Sequence, residues 1–253
     1  SSLMHKKTNH RRDFLKKSAA AGASLSLPCV YSQTNTLAAV TQEKNDRIPI
    51  GLIGAGGMGN GNMRAAKAWV DVVAIADVDQ SRLDSTNQSL SQGKADTYKD
   101  YQKILDRDDI KVVHIATPDH WHTKPLIEAM YAGKDIYCEK PLTLTIDEGK
   151  LIRKVQKETG RIVQVGTQQR STFNLFTKAI AIVADGRLGK IKRLECSIGG
   201  APQCDAIPSS EIPAGLDWDR WLGPAPQVGY LNRPDASGKK RRGNTNCHYE
   251  FRW

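Results

Sequence analysis

The chain has 253 residues, enough for one large or two ordinary domains with a real buried core. Its formal charge of +10 invites a nucleic-acid reading. The excess is local, however: six bases against Asp13 in residues 1–38, plus Lys239-Lys240-Arg241-Arg242, leave the rest close to neutral, which excludes a basic face on the folded part.

Residues 1–40 read as a targeting region. Arg11-Arg12-Asp13-Phe14-Leu15-Lys16 resembles the twin-arginine consensus R-R-x-F-L-K. An Ala/Gly/Ser/Leu-rich stretch follows from Ser18 to Leu27, and Thr36-Leu37-Ala38 offers small residues for cleavage. The apolar stretch is too short to persist as a membrane anchor. The expectation is a protein exported already folded by the twin-arginine translocon, and so periplasmic. Cys29, Cys138, Cys196, Cys204 and Cys247 show no C-x-x-C and no metal-ligand spacing, and Cys138, in an apolar strand, reads as a small buried hydrophobe.

Past Gln42, strand and helix patterns alternate, which predicts a parallel, doubly wound α/β sheet. Strands are expected at 48–53, 72–77, 111–116, 135–138 and 162–166, and helices at about 57–68, 80–92, 100–106, 121–132, 145–159 and 172–185. The first strand runs into Gly54-Ala55-Gly56-Gly57-Met58-Gly59, a G-x-G-x-x-G loop. Gly54 permits the tight turn, Gly56 lets backbone approach a pyrophosphate, and Gly59 lets the helix pack close to the strand. The helix start aims its unpaired N–H groups at the phosphates. Asp77 closes the second strand, where a carboxylate accepts hydrogen bonds from a ribose diol. The loop, from Gly54 to Gly59 with Ala55, Gly57 and Met58, and Asp77 therefore form the expected dinucleotide site. Because Asp77 would repel a 2′-phosphate, NAD(H) is the preferred cofactor and NADP(H) a possible one.

The third strand ends in Thr117-Pro118-Asp119-His120-Trp121-His122, and the fourth in Glu139-Lys140-Pro141, so both reach the edge that carries the glycine loop. His120 and His122, two apart on a helix, would point their rings apart, and no metal site is expected. Thr145 with Glu148 is a capping-box pattern. From Lys190 the texture changes: Ile191–Ile198 reads as a long strand, then Pro and Gly become frequent. Residues 45–169 are thus expected to be the nucleotide-binding domain, and 170–253 the beginning of a second, α+β domain with a mostly antiparallel sheet. Trp218 and Trp221 could stack on sugar faces or pack a domain junction.

These motifs together resemble the Gfo/Idh/MocA family of NAD(P)-dependent oxidoreductases. The matching segments are the glycine loop, Ala116-Thr117-Pro118 with His122, and Ala132-Gly133-Lys134 with Glu139-Lys140-Pro141; Val165–Arg170 and Gly186–Ile191 fit the family's domain junction. Leu216–Pro224 resembles an exported, sugar-active branch. The resemblance implies hydride transfer between nicotinamide and a sugar or polyol. Lys140 would be the catalytic cation on the reacting hydroxyl, Glu139 would orient nicotinamide and ribose, and Thr117, Pro118 and His122 would line the cofactor pocket. It implies a small-molecule sugar or polyol partner and, for the full-length protein, assembly with further copies of itself. An NAD-dependent glycosidase of the same fold is an alternative, against which Glu139-Lys140-Pro141 argues. The family's second domain carries an Asp-x-x-x-His motif that supplies a proton acceptor, and Phe251-Arg252-Trp253 comes before any such segment. The expectation is an incomplete second domain, and a non-catalytic nucleotide-binding fragment is the remaining alternative.

Overall fold

A computed structural model describes residues 47–168, 174–197, 206–233 and 245–247. Residues 1–40, where a targeting region is expected, and Gln169-Arg170, Lys239–Arg242 and Phe251–Trp253 lie outside the described residues.

The chain order is β1 (Ile48–Ile53), α1 (Gly57–Ala66), β2 (Val70–Ala76), α2 (Gln80–Ser91), β3 (Asp96–Tyr98), α3 (Gln102–Leu105), β4 (Val112–Ile115), a 3₁₀ turn (Asp119–Trp121), α4 (Thr123–Tyr131), β5 (Asp135–Glu139), α5 (Ile146–Thr159), β6 (Val163–Gly166), α6 (Asn174–Ala184) and α7 (Trp218–Leu222). The six strands form one sheet in the order β3-β2-β1-β4-β5-β6, every pairing parallel. This doubly wound Rossmann arrangement changes direction between β1 and β4, where a ligand crevice opens at the strands' C-terminal ends.

Helices on both faces explain why the central strands read as continuous apolar runs. On one side Leu52 and Ile75 pack with Met63 of α1 and Leu83 of α2. On the other, Ile53, Val113, Ile115 and Ile136 pack with Leu126 and Met130 of α4 and Ile152 and Val155 of α5. Cys138 belongs to this second layer, fully buried, and burial pushes its thiol up to about 12. The capping box forms as read: Glu148 N–H donates to Thr145 Oγ1, and the Glu148 carboxylate accepts the Thr145 N–H.

Three expectations change. The edge strand β3 was not expected, because Asp96-Thr97-Tyr98 carries no apolar run; it exists because Ala74–Ala76 has an open side to pair with. The expected helix 121–132 is split at His122, where Pro118 and the 3₁₀ turn reset the backbone before α4 begins. Residues 191–197 are not a strand, since among the described residues no second strand lies alongside them to form a ladder. Beyond β6 the described antiparallel pairing is limited to single bridges, Asp79 to Leu216, Ser209 to Leu231 and Asn232 to Thr245. No helix among the described residues is long and apolar enough to cross a membrane.

Candidate active site and dinucleotide groove

Strand register assembles the site. Ile53 pairs with both Ala76 and Ile115, so β2, β1 and β4 end level. Gly54 N–H then donates to the Ala76 carbonyl and Ala116 N–H to the Ile53 carbonyl, both at 2.8 Å. Gly54 takes φ +96°, and a Cβ there would sit 2.6 Å from the Ala116 carbonyl. A Cβ on Gly59 would sit 2.3 Å from the Gly54 carbonyl oxygen, so only glycine lets α1 approach β1 this closely.

A cavity of about 580 Å³ runs along this edge. Gly54, Gly56, Gly57 and Met58 line it, with Asp77, Thr117, Pro118, His122, Glu139 and Lys140. Of the expected site residues, Ala55 and Gly59 are outside the lining. Ala55 is buried, its carbonyl accepting the Asn60 amide at 3.0 Å and the Thr86 hydroxyl at 3.1 Å, so it holds the loop from behind.

Each side chain is fixed by a neighbour. Asp77 accepts the Ala55 N–H at 2.8 Å and the Asp79 N–H at 2.9 Å. Burial raises its pKa, and those two backbone bonds and Arg82 work the other way. Thr117 Oγ1 is buried on the cavity with no hydrogen-bond partner. An orphaned hydroxyl and a glycine cradle are what a dinucleotide phosphate edge requires, so the residues present fit the cofactor. His122 is buried, its Nδ1 2.6 Å from the Pro141 carbonyl oxygen and its Nε2 2.9 Å from that of Thr117. It therefore ties the loop after β5 to the loop after β4, a role its motif position did not suggest.

Glu139 is 3 % exposed and heavily bonded. Its Oε1 accepts Asn62 Nδ2 at 2.6 Å, and Gln168 Nε2 reaches both carboxylate oxygens at 2.9 and 2.8 Å. Asn62 Nδ2 also lies 3.2 Å from His114 Nε2. Burial pulls His114 down to about 4, so the ring is neutral and Nε2 accepts. Asn62, missed in the sequence, thus couples α1 to β4 and β5; an amide three residues beyond Gly59 was its only signal. Lys140, exposed on the cavity, follows directly, its N–H on Glu139 Oε2 at 3.2 Å. Asp119 shares this wall; burial raises its pKa against the nearby charges of His122 and Lys140.

His120 is buried. Its Nε2–H donates to the Trp221 carbonyl at 2.8 Å, and its ring meets Trp221 edge-on. Trp218 and Trp221 stack at 4.8 Å inside a cluster with Leu216, Leu222, Tyr230 and Cys247, backed by Val78. Both are packed in this cluster, and Trp221 also lines the cavity.

Comparison with known proteins agrees with this geometry. Residues 48–167 match the GFO_IDH_MocA family, described as an oxidoreductase family with an NAD-binding Rossmann fold. A glycosyl hydrolase family 109 protein of Shewanella pealeana is 32 % identical over 162 residues, covering 55 % of this chain and 35 % of that protein. An inositol 2-dehydrogenase of Rubrobacter xylanophilus is 31 % identical over 130 residues, covering 50 % and 37 %. The crystal structure of myo-inositol 2-dehydrogenase from Lactobacillus plantarum superposes with a TM-score of 0.53 at 31 % identity, over 57 % of this chain and 43 % of that one. A levoglucosan dehydrogenase in complex with NADH and levoglucosan gives 0.51 at 30 %, over 57 % and 41 %. The chain spans little more than a third of the length of these two curated relatives. Residues 48–167 thus match the NAD-binding Rossmann domain of the Gfo/Idh/MocA oxidoreductase family.

Proposed function

We propose that the protein is an NAD(P)-dependent oxidoreductase that moves hydride between nicotinamide and a carbinol of a sugar or polyol. The observation that carries this reading is the placement of Lys140 on the same cavity as the glycine loop and Asp77. When bound, NAD supplies the hydride acceptor. Lys140 binds the reacting hydroxyl and stabilises the charge that develops on its oxygen. Glu139, held by Asn62 and Gln168, keeps the start of the Lys140-Pro141 loop at a fixed height above the sheet. Thr117 Oγ1 donates to the cofactor. The names of the inositol and levoglucosan dehydrogenases support a polyhydroxylated substrate. Residues 170–253 contribute to a substrate domain, and the full-length protein assembles with copies of itself.

A second reading, a glycosidase that uses NAD transiently, is favoured by the family 109 relatives. Incubating the full-length protein with candidate sugars and analysing products by mass spectrometry separates the two. An oxidised product supports the first reading and a hydrolysed glycoside the second. Lys140→Ala should lower turnover on the order of 10²-fold or more while NADH affinity, read by fluorescence, stays close to that of the wild type. Undiminished turnover would remove Lys140 from the mechanism.

The Arg11–Lys16 pattern supports export through the twin-arginine translocon to the periplasm. No soluble NAD pool is expected there, so the enzyme must carry its nucleotide out and regenerate it in place. Full-length protein expressed with residues 1–40 intact should then release NAD(H) on denaturation. Nucleotide-free protein that turns over only with millimolar added NAD would point to cytoplasmic function.

A further inference from the structure

We infer that residues 215–222 are a strap over the adenosine half of the dinucleotide groove, and that His120, Trp121, Arg220 and Trp221 set how slowly nucleotide leaves. This rests on the groove binding a dinucleotide, not on the chemistry proposed at Lys140.

The strap is anchored on both sides of the groove. At the exit of β2, Leu216 forms an antiparallel bridge with Asp79. There Gln80 N–H donates to the Gly215 carbonyl at 3.1 Å, and Asp217 N–H to that of Val78 at 3.0 Å. Lys99 Nζ reaches the same Gly215 carbonyl at 3.1 Å. At the exit of β4, His120 donates to the Trp221 carbonyl, and Trp121 Nε1 lies 3.0 Å from the carbonyl oxygens of both Arg220 and Trp221. Since β1 lies between β2 and β4 in the sheet, a segment bonded to both outer exits must pass over the loop that leaves β1. That loop is the glycine cradle.

The side of the groove follows from Asp77. A carboxylate at the end of β2 marks the adenosine ribose, whereas Lys140 marks the nicotinamide end at β5. Arg220 and Trp221 line the cavity together with Asp77, Val78 and Arg82. The strap is held down by a packed layer, the Trp218–Trp221 stack with Tyr230 and Val78 behind it. The approach at its far end is close: a Cβ on Gly223 would lie 2.1 Å from the Trp121 ring. An open parallel sheet leaves its crevice accessible to solvent. Here nucleotide exchange requires the strap to lift, which makes release a gated step. His120 and Trp121, two residues of the Thr117–His122 motif to which the resemblance gives no role, acquire a purpose in this arrangement.

The test loads the chain with NADH and chases it with excess NAD, following fluorescence on rapid mixing without substrate. The double variant His120→Ala, Trp121→Phe removes the anchors at β4, and dissociation should accelerate about tenfold or more. Gly223→Val, which pushes the strap off Trp121, should do the same. AMP should compete less well in both variants, and NMN equally well. An unchanged dissociation rate in a folded double variant whose 216–222 amides exchange faster with deuterium would overturn the strap. Should the variants fail to fold, the wild-type chain decides. AMP, and not NMN, should slow deuterium exchange across 216–222, and no AMP-dependent protection would overturn the inference. A wild-type chain that binds no NADH would overturn the groove and the strap together, whereas binding without turnover leaves the strap standing.

Discussion

Asp77 holds the loop with the two oxygens that, we propose, also select the cofactor. Each already accepts one backbone N–H, from Ala55 and from Asp79, and each keeps a lone pair for a ribose hydroxyl. A 2′-phosphate would meet that carboxylate as a like charge, and Arg82, 3.5 Å from Asp79, offsets this only in part. The chain should therefore bind NADH more tightly than NADPH, by about tenfold or more. Asp77→Asn should narrow the ratio and also weaken NADH binding, because the Ala55 N–H loses a charged acceptor. Fluorescence titration with both nucleotides checks this, and equal or tighter NADPH binding by the wild type would sink it.

Among the elements, α1 depends most closely on which of its positions is glycine. Gly59 faces the Gly54 carbonyl at a distance no Cβ tolerates, whereas Gly61, inside the same helix, has nothing within 4 Å. Gly59→Ala should cost about 1–3 kcal/mol of stability through overpacking. It should also lower NADH affinity about tenfold or more, because α1 is driven off the phosphate position. Gly61→Ala should instead stabilise by about 0.5–1 kcal/mol, since alanine loses less freedom than glycine in a helix. Thermal melts of the two variants give opposite signs if α1 packs as described. A tolerated Gly59→Ala would mean that the helix does not approach β1 this closely. Helix α6 leaves Phe176, Ile180 and Val183 exposed among the described residues.

Across the folded chain, His114 links pH to stability. It is 2 % exposed, stacked on Tyr137 at 4.8 Å, and burial holds it at about 4 against an ordinary value of 6.5. Between these values the unfolded chain binds a proton that the folded chain does not, so stability falls as pH falls through this window. The full effect is on the order of 3 kcal/mol. Asp77, whose pKa is raised by burial, acts in the opposite direction at the acidic end. Melts from pH 4.5 to 7.5 should show the loss, and His114→Gln should flatten the profile relative to wild type while lowering its plateau. Parallel profiles for the two proteins would show that His114 protonates freely in the fold.

Most of the nucleotide-binding half is readable in the sequence, because its information is local. Apolar runs of strand length, Gly54, Gly56 and Gly59, the acid at Asp77 and the Thr145–Glu148 cap each work through neighbours within a turn or a strand–helix unit. Position in a parallel sheet then follows from connection handedness, which placed Thr117 and Glu139-Lys140 on the glycine loop's edge. Other features depended on distant partners. The three-residue β3 forms because β2 has an open side, and residues 191–197 form no strand without one. Glu139 is held by Asn62, 77 residues away, and His120 by a carbonyl 101 residues away. Trp218 and Trp221 could equally have faced a sugar, since an aromatic pair at helical spacing looks the same in either use. Their burial against Val78 is a tertiary fact, settled where the chain returns across the sheet. A sequence states which groups can bond and bury; which of them meet across a hundred residues is decided when competing contacts are satisfied together in one fold.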